Sequence, residues 1–357
     1  MSALVTGAGQ ALPPAMGQQH LWDAFFREHY ADDRVARLVW ERSGITTRRG
    51  VVDPSVEDVS GWGTGARMER FVQEALPLGR EAVGKALAAA GQAPGDVGML
   101  TVVSCTGYAT PGLDILLARD LGMSQDTQRL HVGHMGCYAA LPGLGAVNDF
   151  VVARDRPAVL LCLELTSLHV QPATETGRSG SPTQADLQQM VAHALFSDAA
   201  AAVVVEPDGG RPGLEFVDAI ARTDTTTADH MTWDVTDLGF KMGLSPKVPD
   251  VLAVHARPVV TALLERHGLA PADVRGWAVH PGGRKIVEVV GEALELSPEQ
   301  LAPSYDVLDD VGNCSSATVL LVLSRLQETT DLAAGDHVVA LAFGPGLTLC
   351  GVLLRQR

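Results

Sequence analysis

Three short segments carry the residues best suited to chemistry: Gly136-Cys137-Tyr138-Ala139-Ala140, Val279-His280-Pro281-Gly282-Gly283 and Gly312-Asn313-Cys314-Ser315-Ser316. They supply a thiol nucleophile, an imidazole able to activate it and an amide able to hold a developing negative charge. A thiol attacks only as the thiolate, and a free cysteine with a pKa of ~8.5 is mostly protonated at neutral pH. A helix N-terminus and a neighbouring imidazolium both favour the anion. Each segment stands where a strand-like run gives way to a Gly-flanked turn or a helix start. Pro142 is compatible with a helix starting near Tyr138 or Ala139, because the first four N–H groups of a helix have no internal partner. Taken singly, each residue has a plainer reading, as a core cysteine, a structural histidine or an Asn turn. Their joint placement favours the chemical one.

The elements that must position them alternate. Apolar, β-branched runs at Met99–Ser104, Ala158–Leu163, Ala200–Glu206, Gly276–His280, His337–Phe343 and Leu347–Leu354 read as buried strands. Helix-length stretches lie between them at Ala139–Ala153, Ala256–His267, Arg284–Leu294 and Ser315–Gln327. This is the pattern of an α/β protein with largely buried sheets. The order also repeats. Thr101-Val102-Val103-Ser104 leads into Cys105-Thr106-Gly107 as Trp277-Ala278-Val279-His280 leads into Pro281-Gly282-Gly283. The same 33 positions separate Ser104 from Cys137 and His280 from Asn313. A buried helix and two strands follow each endpoint. Two copies of one α/β unit are therefore expected, residues 1–208 carrying the cysteine and 209–357 the histidine and asparagine, with the turn Asp208-Gly209-Gly210-Arg211-Pro212 between them. If the copies pack about a pseudo-dyad, Cys137 and Asn313 begin equivalent helices facing one another.

The chain of 357 residues, 46% hydrophobic and 19% charged, is long enough for two core-forming units. Its formal net charge of −15 argues against non-specific binding to nucleic acid or anionic membranes. No leader pattern opens it, and no apolar run is expected to reach the ~18 residues of a membrane span. The five cysteines form no CxxC pair, which points to a reduced, cytoplasmic protein without a metal.

The chain resembles the type III polyketide synthases, the chalcone-synthase-like members of the thiolase superfamily. The likeness is carried by Gly136-Cys137-Tyr138-Ala139, Glu164-Leu165-Thr166, Leu195-Phe196-Ser197-Asp198, His280-Pro281-Gly282-Gly283, Gly312-Asn313-Cys314-Ser315-Ser316-Ala317 and Phe343-Gly344-Pro345-Gly346-Leu347-Thr348. The resemblance implies a five-layered αβαβα fold with internal duplication, a homodimer, and Cys137, His280 and Asn313 as catalytic residues. It implies loading of a starter acyl-CoA on Cys137, extension by decarboxylative Claisen condensation with malonyl-CoA, and cyclisation to a pyrone or a resorcinol- or phloroglucinol-type ring. CoA thioesters are the substrates, and no other cofactor is implied. Phe196 and Phe240 match the family's gatekeepers; Cys105, Thr106, Thr166, His169, Ser315 and Met231 match cavity-lining positions. Thr110 falls where the family sends a residue across the dimer interface. Arg34, Arg37 and Arg42, with Arg48 and Arg49, form a basic stretch suited to CoA phosphates.

Departures bear on the product. Ser197, Ala199 and Ala342 replace glycines common in the family, and Ala140 stands where glycine is frequent. His169 is a bulky, titratable residue where small ones usually line the pocket, so it is expected to take cavity space and limit chain length. Rival readings fit less well. A ketoacyl-carrier-protein synthase III would read His-Gln-Ala-Asn at the histidine, a hydroxymethylglutaryl-CoA synthase would add a catalytic glutamate, and a papain-like protease would carry Cys-Gly-Ser-Cys-Trp near its start. A non-enzymatic acyl-CoA-binding relative is the remaining alternative.

Overall fold

The computed structural model describes residues 2–173 and 183–357. The large sheet contains nine strands: β1 (Ala3–Ala11), β2 (Met99–Val103), β3 (Gln128–Val132), β4 (Ala158–Glu164), β5 (Ala199–Pro207), β6 (Leu214–Thr223), β7 (Val274–Val279), β8 (His337–Gly344) and β9 (Thr348–Gln356). Helices of eight residues or more are α1 (Arg34–Glu41), α2 (Thr64–Ala90), α3 (Leu113–Leu121), α4 (Ala140–Arg154), α5 (Gln184–Leu195), α6 (Val248–Glu265), α7 (Arg284–Leu294), α8 (Pro298–Val311) and α9 (Thr318–Thr329).

Alternation along the buried strands decides the layering, because successive side chains leave a strand on opposite faces. In β4, Leu160 and Cys162 enter a core shared with α4 and α9, while Val159, Leu161 and Leu163 enter one covered by α2 and α3. In β8, Val338, Ala340 and Ala342 face the same shared core; Val339, Leu341 and Phe343 turn to α6 and α7. Three cores between two strand sets make five layers, αβαβα.

The sheet itself is duplicated. Its first half runs β3-β2-β4-β5-β1 and its second β6-β9-β8-β7. The parallel pair β2–β4 is matched by β7–β8, and the antiparallel pairs β4–β5 and β5–β1 by β8–β9 and β9–β6. The halves meet where Leu4 lies opposite Glu215 and Val5 opposite Leu214. α4 and α9 hold equivalent places in the middle layer, each preceded by a 3₁₀ turn, Gly136–Tyr138 and Ser315–Ala317. Cys137 thus sits in the turn before the helix rather than at its first residue. Pro142 is the third residue of α4, where it forfeits no internal bond and escapes the ~3 kcal/mol cost of an interior proline.

One expectation needs correction. The segment Gly136–Arg154 is long and apolar enough, by length and composition, to cross a membrane. It is the middle-layer helix, and its hydrophobicity serves a core with sheet on both sides.

Candidate active site

Two glycines set the backbone for the chemistry. Gly136 (φ +70°) precedes Cys137, and Gly312 (φ +84°) precedes Asn313. A Cβ on Gly136 would lie 2.7 Å from Pro345 Cδ, and one on Gly312 3.0 Å from Ser197 Cβ. Only glycine accepts both the left-handed conformation and the contact. From there Asn313 donates its N–H to Leu195 O (3.0 Å) and accepts from Ser197 N–H (2.9 Å), which fixes it beside Phe196. His280 continues β7 by donating its N–H to Leu341 O (2.8 Å), and its ring stands edge-on to Phe343.

Side-chain bonding leaves specific atoms free. Asn313 Oδ1 accepts from Ser315 N–H (2.9 Å) and Thr318 Oγ1 (3.4 Å), so its NH₂ is the group left to act. His280 is wholly buried, and neither ring nitrogen has a partner. Unsatisfied buried polar atoms are costly, and these two belong to a residue that lines a cavity. Cys137, His280, Asn313 and Phe196 line one cavity of about 430 Å³ whose walls are mostly aliphatic, with Arg42, Arg284 and Lys285 also on its lining. Cys137 and Phe196 also line a smaller cavity of about 100 Å³, together with Cys105, Thr106, Thr166, Met231 and Ser315. The thiol stands between an outer channel and an inner chamber.

Burial pushes the Cys137 thiol up to about 12, partly offset by hydrogen bonds from Ser315 and Asn313 that favour the anion. Burial alone lowers His280 to about 3. Each group by itself is neutral. Burial also pushes the Cys105 thiol well up, and Glu164, whose Oε1 lies 3.5 Å from its Sγ, adds to the effect because a carboxylate disfavours a thiolate. Glu164, fully buried, also accepts from Cys105 N–H (3.0 Å), Thr106 Oγ1 (2.8 Å) and Ser316 Oγ (2.6 Å). It clasps the end of β4 to the loop after β2 and to the turn before α9. Of the two thiols beside the chamber, Cys137 is the one that also lines the channel with His280 and Asn313.

Not every expected residue joins this site. His169 does not line the chamber of Cys137. It lines a separate void of about 30 Å³ with Phe240, and its ring is fully committed. Nδ1 accepts Phe240 N–H (3.0 Å), so the proton is on Nε2, which donates to Thr106 O (2.6 Å). The ring stacks on Phe240 at 4.7 Å. Phe196 borders both cavities and the void, whereas Phe240 stands one layer back. Arg34 is exposed, Arg37 pairs with Glu41, and neither lines the channel as Arg42 does. Arg48 is buried structure, donating to Phe196 O (3.1 Å) with its guanidinium over Trp40 and Phe26. Thr110 is exposed in the single chain. The added side chains at Ser197, Ala199, Ala342 and Ala140 go into scaffold: Ser197 Oγ bonds Arg49 N–H (2.8 Å), and the three alanines fill the middle core.

Four of the lining residues that escaped the sequence reading stand out. Trp233 and Met242 belong to the hairpin Met231–Thr236/Gly239–Leu244. Strand alternation could have found them, each lying two residues beyond Met231 or Phe240. Arg284 and Lys285 open α7, where both pair with Glu288 one turn on (3.3 and 3.6 Å).

The buried imidazoles predict acid lability. Burial lowers His169 to about 4, His280 to about 3 and His193 well below its usual value. Unfolded histidines titrate near ~6.5, so below that pH the unfolded chain binds protons that the native chain refuses. Stability is therefore full above ~6.5 and falls as pH drops toward 4, by as much as ~4 kcal/mol per pH unit while all three contribute. Glu164 and Asp198, raised by burial, act in the opposite sense nearer pH 5. Denaturant melts between pH 7 and 5.5 check this; a level midpoint would contradict it.

Comparisons with known proteins identify relatives of the whole chain. Residues 2–209 match the N-terminal domain of the chalcone and stilbene synthases, and residues 216–357 match the C-terminal domain. The chain is 37% identical over 331 residues to a 1,3,6,8-tetrahydroxynaphthalene synthase of Streptomyces peucetius subsp. caesius, covering 91% of this chain and 84% of the relative. It is 33% identical to an alpha-pyrone synthesis polyketide synthase-like protein of Mycobacterium tuberculosis, covering 90% and 86%. The crystal structure of the 1,3,6,8-tetrahydroxynaphthalene synthase of Streptomyces coelicolor A3(2) superposes with a TM-score of 0.90 at 26% identity, over 99% of both chains. The chain belongs to the chalcone and stilbene synthase family: it is a type III polyketide synthase, an acyltransferase of thiolase-like fold.

Proposed function

We propose that the chain loads a starter acyl group from acyl-CoA onto Cys137, extends it with malonyl-CoA and cyclises the product. The observation that carries this reading is the pairing of His280, whose two buried nitrogens lack partners, with Asn313, whose amide oxygen is tied down and whose side chain hydrogen-bonds the Cys137 thiol. Both line the channel that holds the thiol.

In the first step the Cys137 proton passes to His280. The two charges form together, so each provides the neighbour that burial otherwise denies the other. The sulfur attacks the starter thioester carbonyl, and CoA leaves as a thiolate that takes up the proton. In the second step the carboxylate of malonyl-CoA departs as CO₂. The electron pair left behind becomes an enolate whose oxygen is held by His280 and Asn313 N–H donors. The enolate carbon attacks the acyl-Cys137 carbonyl; the new C–C bond forms, the C–S bond breaks and the thiolate is restored. Arg42, Arg284 and Lys285 receive the CoA phosphates, as cations in a chain of net charge −15. Phe196 is the gate, bordering both cavities, with Phe240 behind it.

The reaction draws on no metal or further cofactor. The two copies of the unit, 1–208 and 209–357, contribute the nucleophile and the His280–Asn313 pair respectively. We further place the protein in the reducing cytoplasm as a homodimer with Thr110 at the dyad, a setting consistent with its five free cysteines. Incubation with malonyl-CoA and a panel of acyl-CoAs, with mass spectrometry of the products, should yield condensation products that carry the starter plus C₂ units. Sedimentation of the same preparation should give twice the chain mass of 37.6 kDa. A product set with no C–C bond formation would end this reading.

A further inference from the structure

Closing a ring on a poly-keto chain removes a proton, and the inner chamber offers few groups to take it. Among the described residues its lining holds three titratable ones, Cys105, His134 and Cys137, beside the hydroxyls of Thr106, Thr166 and Ser315. Hydroxyls of this kind are not bases near neutral pH. Cys137 is occupied as the thioester. Burial, with Glu164 beside it, holds the Cys105 thiol protonated. His280 lines the channel and not the chamber, whereas His134 lines the chamber and not the channel. Imidazole is the side chain that gives and takes protons most readily near neutral pH. The backbone around it is strained. His134 has φ +62° and Gly136 φ +70°, with Met135 at −95° between them, so the turn from β3 to Cys137 winds left-handed twice. Glycine holds such a turn at no steric penalty, while a residue with a Cβ is disfavoured there. Strain of this kind collects at functional sites. His134 is also exposed in the single chain, which gives a proton taken inside a way out.

Resting on the polyketide reading above, we propose that His134 is the catalytic base of ring closure. The finished chain, passed back from CoA to the Cys137 sulfur, lies with its carbonyls in the chamber. His134 removes one proton, from a methylene between two carbonyls for a carbon ring or from an enol hydroxyl for a pyrone. The carbanion or enolate oxygen attacks the thioester carbonyl; the new C–C or C–O bond forms and the C–S bond breaks. Cys137 leaves as a thiolate, and the imidazolium returns the proton to that sulfur, directly or through water. The ring departs neutral and the resting thiol is restored. Placed beyond the thiol and off the channel, His134 meets the extended chain rather than the incoming CoA thioester.

The test follows wild type, His134→Gln, His134→Asn and His134→Gly with hexanoyl-CoA or acetyl-CoA as starter and malonyl-CoA as extender. Intact-protein mass spectrometry reads the chain carried on Cys137 with time, and product analysis reads the rings released. Loss of the fully extended adduct should slow by about 10²-fold in all three variants, the low end of what general base catalysis contributes. Asparagine and glycine suit the left-handed turn, so slowing in those two reports the missing imidazole and not a disturbed backbone. Added imidazole should restore ring release in His134→Gly, where the deleted ring leaves room for it, and should not do so in His134→Gln. Thermal melts establish which variants fold, and folded His134→Asn carries the test if His134→Gly does not fold. An extended adduct that leaves folded His134→Asn at the wild-type rate overturns the assignment. So does a folded His134→Gly that imidazole does not rescue, or a folded variant that fails to load a starter, which would put His134 at an earlier step. Each of these leaves the polyketide reading intact, because the wild type still condenses. A wild type that forms no condensation product removes the reading on which the assignment rests.

Discussion

Asn313→Ala should lower CO₂ release from malonyl-CoA by about 10²–10³-fold, the cost of one lost oxyanion donor in a water-poor site. The size of the effect follows from how the amide is held. Its oxygen accepts from Ser315 N–H and Thr318 Oγ1, so the NH₂ is oriented before any substrate arrives. No reorganisation is required as charge develops, which is what makes a buried donor worth more than the same group in water. Asn313→Asp sharpens the test. It keeps an acceptor for Ser315 and Thr318 but puts a carboxylate oxygen where the donor stood, so decarboxylation should fall at least as far. Unchanged CO₂ release in Asn313→Ala would refute the role given to this residue.

Cys137→Ala should abolish starter loading altogether, read as loss of the acyl adduct in the intact-protein mass. No other thiol can substitute. Burial, with Glu164 beside it, holds Cys105 protonated, and Cys314 is buried without exposure in the middle core. Cys137→Gln should separate the two half-reactions, losing loading while still decarboxylating malonyl-CoA, because the latter needs the donors and not the thiolate. An adduct that persists in Cys137→Ala, or maps to Cys105 in the wild type, would reassign the nucleophile.

Much of this was legible in the sequence because it rests on period and order. The six apolar runs are strands within a few residues of their expected ends, and Arg284–Leu294 is a helix with those bounds. The equal spacing of Ser104 to Cys137 and His280 to Asn313 reflects a real equivalence: β2 and β7 end one residue before Ser104 and His280, and 3₁₀ turns lead into α4 and α9. What escaped depends on depth. His169 sits near the chamber in sequence terms, but whether its ring points into the chamber or behind it depends on Phe240 N–H and Thr106 O, groups that come from other segments. The same holds for Arg48, whose neighbours Phe26, Trp40 and Phe196 convert a surface-type residue into packing. The long helix α2 was missed because small residues, Ala75, Gly79, Ala82 and Ala86, form its buried face and give a weak apolar signal.

The division of the site between two sheet halves has a consequence for how the enzyme comes into being. A ribosome delivers the first half, with Cys137, well before it delivers His280 and Asn313. At ~5–20 residues per second the interval between Cys137 and His280 is roughly 7–30 seconds. During that time the thiol has neither the imidazole that would take its proton nor the amide that would favour its anion, and an unactivated thiol reacts slowly. Reactivity is conferred when the second half docks and Asn313 locks beside Phe196. Duplication thus separates the delivery of Cys137 from the assembly of the cavity that it lines with His280 and Asn313.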